Sequence, residues 1–414
     1  MMRHPGSMSA LRTLCGWILL VTAAIPLRSS FAEEMVSIES VNGTTYTGSL
    51  SEVTAEHVIV AGKSTETIPI ADVIRIDWPE RRVANLSGQD LVLLANGDRL
   101  VMDPVQTDNE ILRAKWREFP GLPLSSIPLE MVQGIAWKLP QDRVSRSGVI
   151  TRLLNYSAKT DLLTLRNGNS VAGEFLGFNV DTLKLETAAG PLDIDLKSLN
   201  SLSFNPELIA FPKSQGVRLI VTLIDGSRFT ATQFQYLADA GMQFTMAFGG
   251  QATFALDRIA AMQVVGGRAV YLSDLNPRDY TFTPYLSLRW PLRSDRNATG
   301  ESLRVGGREY AKGLGTHSQA EITYALDGNY SQFQAVVGID DHAGRGGNAI
   351  AEVLVDEKLV WTSEPLTSGG LPQRIESIDL SGAQALTLRV LFGQRGDVQD
   401  HVDWCDALLV KQPK

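Results

Sequence analysis

Four short turns, each Asn-Gly or Asp-Gly, recur along the first two thirds of the sequence and are flanked on both sides by alternating apolar and polar residues. They lie at residues 42–43, 96–97, 167–168 and 225–226. Asn-Gly and Asp-Gly favour tight hairpins, and apolar residues at every second position are typical of half-buried strands. The repeat therefore predicts that this part of the chain folds from antiparallel β-strands.

Each turn begins a unit that ends in a short apolar strand, at residues 73–76, 132–135, 199–202 and 259–262. The clearest copy spans residues 163–204 and has the pattern of a strand, a turn and three further strands. Such units resemble small, strongly bent barrels of the SH3-like or Sm-like type. One continuous meander cut into hairpins is the alternative.

A stretch between the second and third units breaks the alternation. Its apolar residues have helical spacing, and they are Val144, Val149, Ile150, Leu153 and Leu154. This spacing predicts a linker helix that divides the repeats two and two, and Gly266-Gly267 marks a boundary after the fourth unit. The expected domains are two β-repeat units at 33–140, the linker helix at 141–160, two further β-repeat units at 161–266, and a C-terminal domain at 268–412.

The first 32 residues have the features of a secretory signal peptide. Arg3 and Arg12 accompany an apolar run at residues 14–25, and Ser30 and Ala32 supply the small residues of a cleavage site. The run is shorter than the ~20 residues that span a bilayer as a helix. We therefore expect export to the periplasm or the extracellular space, and no transmembrane span.

Loss of this peptide removes three arginines and no acid, which takes the formal charge from −8 to −11. An acidic exported protein is a poor match for nucleic acid, because phosphates need a basic partner. No nucleic-acid partner is expected. Cys405 is the one cysteine left in the mature sequence, which excludes an intrachain disulfide.

The C-terminal third is predicted to be all-β as well. Apolar residues alternate through 322–326, 333–339 and 386–390, and no helical period competes with them. Closely spaced short strands favour an antiparallel sandwich or jelly roll. Two polar clusters bracket these strands, at residues 312–318 and 400–406. The first is predicted to be a glycine-rich loop that presents polar side chains, because glycine permits a positive φ.

Four pieces of this region occur in a specific order and spacing. They are Tyr271-Leu-Ser-Asp-Leu275, Lys312 to Ser318, Val337-Gly-Ile-Asp-Asp341 and Asp403-Trp-Cys-Asp-Ala407. Together they resemble the NPCBM/NEW2 carbohydrate-binding module, which is found beside family 98 glycoside hydrolases and is related to carbohydrate-binding module family 51. The resemblance covers the C-terminal third and implies a galactose-binding-like jelly-roll β-sandwich that docks sugars. It supplies no reaction.

A sugar site needs an apolar or aromatic surface for the C–H faces of the ring and a few convergent donors and acceptors for its hydroxyls. The expected carbohydrate-binding residues are His317, Asp340, Asp341, His401, Asp403 and Trp404. In an extended strand, His401 and Asp403 would lie on one face and Trp404 on the other.

Each of these residues also has a structural interpretation. Trp404 is the type of residue that fills a sandwich core, Asp340-Asp341 is a common turn signal, and His317 could make a structural hydrogen bond. Tyr280, Tyr285 and Trp290 are interpreted as covering the sandwich.

The sequence therefore predicts an exported, non-catalytic carbohydrate-binding protein. The jelly roll would dock a glycan or polysaccharide, and the repeats would act as a scaffold or contact other envelope proteins. The alternative is a structural or protein-interaction envelope protein whose jelly roll no longer binds sugar. No enzyme is predicted, because no region is suited to the facing carboxylates of a glycosidase and no Gly-x-Ser-x-Gly elbow occurs. No cofactor is expected, and a structural calcium ion is left open.

Overall fold

Antiparallel strands make up nearly all regular structure in the computed structural model, which describes residues 35–412 except Asp239. The predicted signal peptide, residues 1–32, lies outside the described residues. Within the described residues, 34 strands accompany one α-helix, α1 (Arg143–Leu154). The predicted all-β fold class is confirmed.

The first twenty strands form four units of five. The first unit contains β1 (Val36–Ser40), β2 (Thr45–Val53), β3 (His57–Ala61), β4 (Thr65–Pro69) and β5 (Val73–Asp77). The second contains β6 (Leu91–Leu94), β7 (Arg99–Asp108), β8 (Ile111–Trp116), β9 (Ser125–Pro128) and β10 (Val132–Ala136). The third contains β11 (Asp161–Leu165), β12 (Ser170–Phe178), β13 (Thr182–Thr187), β14 (Gly190–Asp195) and β15 (Leu199–Ser203). The fourth contains β16 (Arg218–Leu223), β17 (Arg228–Leu237), β18 (Gly241–Met246), β19 (Gln251–Phe254) and β20 (Ile259–Val265).

In every unit the fifth strand returns to pair with the first. In the first unit β1 pairs with β2, β2 with β3, β3 with β4, and β5 with β1, all antiparallel. The other three units repeat this order. The register shifts along each long second strand, and such bulges let a strand bend far enough for the sheet to close. The units therefore have the strand order of small bent barrels, because a simple meander would pair the fifth strand with the fourth and not with the first.

The predicted hairpin turns join the first two strands of each unit. Their glycines, Gly43, Gly97, Gly168 and Gly226, have φ between 80° and 95°. Glycine adopts this conformation without the steric strain that a Cβ would bring. The sequence signal and the local geometry thus agree at all four turns.

In space, the first unit pairs with the fourth, and the second unit pairs with the third. β5 pairs with β20, and β10 pairs with β15. Helix α1 packs on the joint between β10 and β15, where a Cβ on Gly134 would lie 2.8 Å from Leu153 Cδ2. The helix lies where the sequence predicts one, between the second and third units in the chain. The fifth, closing strands determine how the units associate, because β5 pairs with β20 and β10 pairs with β15.

The remaining strands form a sandwich. One sheet has the order β23-β26-β34-β28-β32, with β21 paired to β34; the other has the order β22-β27-β33-β29-β30, with β31 paired to β29; β24 and β25 form a separate hairpin. The strands are β21 (Ala269–Tyr271), β22 (Asp279–Phe282), β23 (Arg293–Ser294), β24 (Leu303–Val305), β25 (Arg308–Tyr310), β26 (Gly313–His317), β27 (Ala320–Ala325), β28 (Tyr330–Ile339), β29 (Asn348–Val355), β30 (Lys358–Thr362), β31 (Leu366–Thr367), β32 (Gln373–Asp379), β33 (Ala385–Phe392) and β34 (His401–Lys411). An apolar core between the two sheets holds them together.

The sandwich packs against the first and fourth units. Val41, Ile74 and Val265 of the repeats form a small apolar cluster with Leu408 and Val410 of the sandwich. Hydrogen bonds across the same contact include Gln334 Nε2 to the Val41 carbonyl at 2.9 Å. No helix among the described residues is long and apolar enough to cross a membrane.

Candidate functional site

Three of the predicted sugar-binding aspartates are used to hold loops together. Asp340 and Asp403 are buried. Asp340 accepts hydrogen bonds from Asn297 Nδ2 at 3.0 Å and from the His342 amide at 2.8 Å. Asp341 accepts from the amides of the glycine pair at 306 and 307, at 3.1 and 2.8 Å. The structure therefore places these carboxylates beneath the surface or against backbone, where they fix loops and are not directed at a solvent-exposed ligand.

Asp340 and Asp403 behave as one acid pair. Burial and the neighbouring Asp340 raise the pKa of Asp403 well above its usual range. Burial opposes ionisation of Asp340 too, but hydrogen bonds from His342 and Asp403 lower its pKa. Asp403 is therefore the member of the pair that holds a proton more readily, and both carboxylates accept from the Arg304 amide, at 3.1 and 3.2 Å.

Trp404 lies in the sandwich core. The predicted alternation along β34 is present: Val402 and Trp404 face the core between the sheets, and Cys405 packs under Leu303 of the β24–β25 hairpin. Trp404 has no exposed surface. It cannot contact a sugar at the surface, which corrects its assignment as a binding residue.

The segment Lys312–Ser318 is not the presenting loop that its glycines suggest. It forms β26, whose five residues are all buried against β34. A Cβ on Gly315 would lie 2.3 Å from the Arg296 carbonyl oxygen, so glycine is required by close packing of the backbone and not by a turn. Lys312 forms ion pairs with Asp274 and Asp295 at 2.6 and 2.7 Å.

One end of β26 and β34 does carry an unusual cluster of rings. The His317 and Trp290 rings stack in parallel with their centroids 4.8 Å apart, and the His401 ring lies 5.0 Å from Trp290 and 5.4 Å from His317. Phe282 meets His317 edge to face at 6.3 Å. His317 is buried beneath the cluster, whereas Trp290 and His401 are half-buried. The structure thus brings two predicted residues together with a tryptophan that sequence reasoning had assigned to covering the sandwich.

Two loops frame this aromatic–histidine cluster. Residues 283–292 carry Trp290 and the exposed Tyr285, and the Tyr280 hydroxyl donates to the Trp290 carbonyl at 2.8 Å. Residues 393–400 lead into His401 and include Asp397, which is close enough to influence the ionisation of His317. The exposed Tyr285 and the half-buried Trp290 therefore provide aromatic surface beside polar groups.

The two histidines are neutral at physiological pH. Burial lowers the pKa of His317, and burial together with the nearby His317 lowers the pKa of His401 to about 4. His317 Nδ1 lies 2.8 Å from the Ser318 carbonyl, and since a carbonyl only accepts, Nδ1 carries the proton and Nε2 presents a lone pair. His401 Nδ1 makes no hydrogen bond within the described part of the chain.

Metal binding has no support in this geometry. Among residues 35–412 without Asp239, no group of three or more His, Cys, Asp or Glu side chains is arranged to hold a metal ion. The structural calcium ion that the sequence leaves open gains no ligand set from the described residues.

A family comparison matches the same part of the chain. The sequence model of the NPCBM/NEW2 domain matches residues 268–410. These residues form an NPCBM/NEW2 domain. The structure links the four sequence pieces that carry the resemblance, because Asp274 pairs with Lys312, and Asp340 and Asp403 both accept from the Arg304 amide. The four pieces therefore help to hold the fold of this NPCBM/NEW2 domain together. Of the aromatic–histidine cluster, His317 lies within the four pieces, and Phe282, Trp290 and His401 lie outside them.

Curated relatives are much longer proteins. The chain is 28% identical over 197 residues to the "Putative endo-alpha-N-acetylgalactosaminidase" of Renibacterium salmoninarum, covering 44% of this chain and 13% of the relative. It is 29% identical over 119 residues to the "Alpha-1,3-galactosidase B" of Akkermansia muciniphila, covering 28% of this chain and 15% of the relative. The chain thus spans less than a sixth of either relative.

Solved structures of similar modules align with the chain. A family 51 carbohydrate-binding module of Clostridium perfringens in complex with methyl-galactose is 28% identical, with a TM-score of 0.31, over 34% of this chain and 99% of that one. Tandem family 51 modules of a family 98 glycoside hydrolase from Streptococcus pneumoniae are 13% identical, with a TM-score of 0.31, over 91% of this chain and 88% of theirs.

Asp403→Asn is expected to change how stability depends on pH. In the unfolded chain this carboxyl has a pKa near 3.9, and in the folded chain its pKa is raised, so the folded state holds an extra proton between the two values. Wild-type stability should therefore fall as pH rises above about 4. The asparagine variant removes this titration, so its free energy of unfolding relative to that of wild type should rise from pH 5 to pH 8.

Urea unfolding at both pH values measures this effect, with Asp193→Asn at an exposed position as the matched control. If Asp403→Asn and wild type show the same pH dependence, the acid pair is wrongly assigned.

His401→Gln is expected to stabilise the protein at acidic pH. The folded pKa of about 4 lies below the unfolded value of about 6.5, so the unfolded state gains a proton first and wild-type stability is lost as pH falls between these values. Between pH 7 and pH 4.5, the free energy of unfolding should fall by on the order of 1–2 kcal/mol less in the glutamine variant than in wild type. Thermal or urea denaturation across this range measures it, and equal losses in both proteins would contradict the assignment.

Proposed function

We propose that the protein is an exported, non-catalytic carbohydrate-binding protein, and that the aromatic–histidine cluster of its NPCBM/NEW2 domain is the sugar site. The observation that carries the proposal is the cluster itself: Trp290 is stacked on His317, beside the half-buried His401. An amphipathic ring held rigid beside neutral polar groups suits the C–H face and the hydroxyls of a sugar.

The proposed roles differ among the residues. Trp290 and the exposed Tyr285 offer aromatic surface, and Tyr285 is held edge to face against Phe392 with centroids 5.5 Å apart. His401 and Asp397 offer a donor and an acceptor for hydroxyls. His317 is buried and supports Trp290 from beneath.

Galactose and N-acetylgalactosamine are the first probes, because the curated relatives are named for galactosidase and N-acetylgalactosaminidase activities. The four repeat units supply a rigid support for the domain in this proposal. Export follows from the signal-peptide features of residues 1–32.

A titration of the purified full chain with methyl-galactoside and with N-acetylgalactosamine, followed by calorimetry, tests the proposal. Saturable binding to at least one of these sugars, or to a glycan of an array that contains both, is expected. A folded protein that binds no glycan on such an array would overturn the proposal in favour of a structural or protein-contact role.

A further inference from the structure

A basic cleft lies between the repeats and the NPCBM/NEW2 domain. It has a volume of about 1120 Å³, and its wall comes from the first, second and fourth units, helix α1, and sandwich residues between 301 and 376. Among the described residues, the wall contains ten arginines and no lysine, against five carboxylates. The whole chain carries a formal charge of −8, so this concentration of positive charge is a local property of the cleft.

Carboxylates in the wall are shared between pairs of arginines. Arg99 Nη1 and Arg228 Nη1 lie 2.5 and 3.3 Å from the same oxygen of Glu309. Glu309 compensates one of these two guanidinium groups, and Asp98 and Asp295 also act on Arg228. Burial, followed by the neighbouring Arg99, lowers the pKa of Arg228, which is the effect expected where like charges are crowded together.

A second shared group lies at the repeat side of the cleft. Arg75 and Arg308 approach Asp77 at 2.6 and 3.6 Å. Asp406 lies near both arginines, but burial raises its pKa and its side chain already accepts from Gln263 at 2.7 Å.

Two arginines of helix α1, Arg143 and Arg146, line the cleft and form no ion pair within 4 Å among the described residues, although Arg146 is close enough to Asp142 to help lower the pKa of that carboxyl. Within the described residues, Arg143 donates only to the Asp341 carbonyl oxygen, at 3.4 Å, and Arg146 donates only to the carbonyls of residues 140 and 141. They are three residues apart and therefore share one side of the helix. Cations in the first turn oppose the helix dipole, although Arg146 also ties the start of the helix to the carbonyls of residues 140 and 141.

The basic surface continues beyond this cleft. A second cavity of about 870 Å³ also has Arg99 and Arg228 in its wall, and adds Arg218 and Arg296. Burial and the nearby Arg228 lower the pKa of Arg296 to about 10. The two cavities share Arg99 and Arg228 in their walls, and together they are called the basic channel; the wall of the second also contains Asp98, Asp274 and Asp295. Positive charges spread over both cavities suit a ligand with several negative charges.

We propose that this channel binds an anionic oligosaccharide that bears carboxylate or sulfate groups. Planar guanidinium groups bind such oxyanions through paired hydrogen bonds, which favours arginine over lysine at these sites. Hydroxyl and amide side chains in the same wall, among them Ser37, Thr45, Asn85 and Gln334, provide partners for sugar hydroxyls. The inference rests on the proposed function only in taking the ligand to be a glycan.

The channel is distinct from the aromatic–histidine cluster. Trp290, His317 and His401 line neither of the two cavities. A single chain would then hold a neutral sugar at the end of the sandwich and an acidic glycan where the sandwich meets the repeats.

The test is calorimetry of the full chain with three probes: a sulfated chondroitin hexasaccharide, the unsulfated hexasaccharide, which carries carboxylates only, and inorganic tripolyphosphate. We expect the hexasaccharides to bind and to weaken as salt rises from 50 to 200 mM, since the contacts are ionic. The double variant Arg143→Gln/Arg146→Gln should bind at least about tenfold more weakly. Arg152→Gln removes one of the two charges that the double variant loses, at an exposed position of the same helix outside the cavities; it is the control for each single variant, Arg143→Gln and Arg146→Gln, and should bind like wild type.

Binding of only the sulfated probe would identify sulfate as the recognised group, and equal binding of both hexasaccharides would identify carboxylate. Three results would overturn the inference: no binding of either hexasaccharide, binding that the folded double variant retains, or tripolyphosphate binding as tightly as the hexasaccharides. Galactoside binding measured on the same samples separates this inference from the proposed function, because either can fail while the other holds.

Discussion

Trp404→Ala is expected to lower the free energy of unfolding by about 3–5 kcal/mol, because it leaves a large cavity in a close-packed core. The side chain has no exposed surface and lies among residues of both facing sheets. Urea denaturation followed by circular dichroism measures the loss as a lower midpoint.

Trp404→Phe is the matched control for this variant. It keeps an aromatic ring and removes an indole N–H that has no hydrogen-bond partner within the described residues. Since an unpaired buried donor costs about 1–3 kcal/mol, the phenylalanine variant should be clearly more stable than the alanine variant. An alanine variant as stable as wild type that loses sugar binding would show Trp404 to be a binding residue after all.

Trp290→Ala is expected to weaken galactoside binding at least about tenfold, which is the loss of about 1.4 kcal/mol of binding free energy. The half-buried ring forms the aromatic surface of the proposed site, and its removal also frees His317 from its stacking partner. Stability should change much less than in Trp404→Ala, because Trp290 lies at the surface and outside the sandwich core. Calorimetric titration together with urea denaturation measures both quantities.

Trp361→Ala provides the comparison for a half-buried tryptophan elsewhere in the same domain. Trp361 lies on β30 and packs at the edge of the core. It should retain wild-type affinity. Equal losses of affinity in both variants would point to a general disturbance of the domain and would contradict a site at Trp290.

The barrel units could be predicted from the sequence because their determinants are local. The hairpin turn at Asn167-Gly168, for example, carries its own signal in the residue type that a positive φ requires. The association of the units could not be predicted. All four closing strands have the same apolar character, so nothing local indicates that β5 meets β20 and that β10 meets β15.

The candidate site was predicted only in part, for a related physical reason. Alternation correctly separated Asp403 from Trp404 on the two faces of β34, yet it could not show that other elements cover both faces. Asp340 is a residue type that is common in ligand-binding loops, but its carboxylate accepts from the backbone amides of Arg304 and His342. Trp290 lies in an irregular loop without any period, and only the fold brings it against His317.

The most direct measurement is a galactoside titration of the full chain followed by NMR of the tryptophan indole N–H groups, assigned with Trp290→Phe. Sugar binding at the proposed site predicts that the Trp290 signal shifts most with added sugar. The signals of the buried Trp116 and Trp404 should remain in place. No shift at Trp290 at saturating sugar, or a larger shift at another tryptophan, would contradict the assignment of the aromatic–histidine cluster as the sugar site.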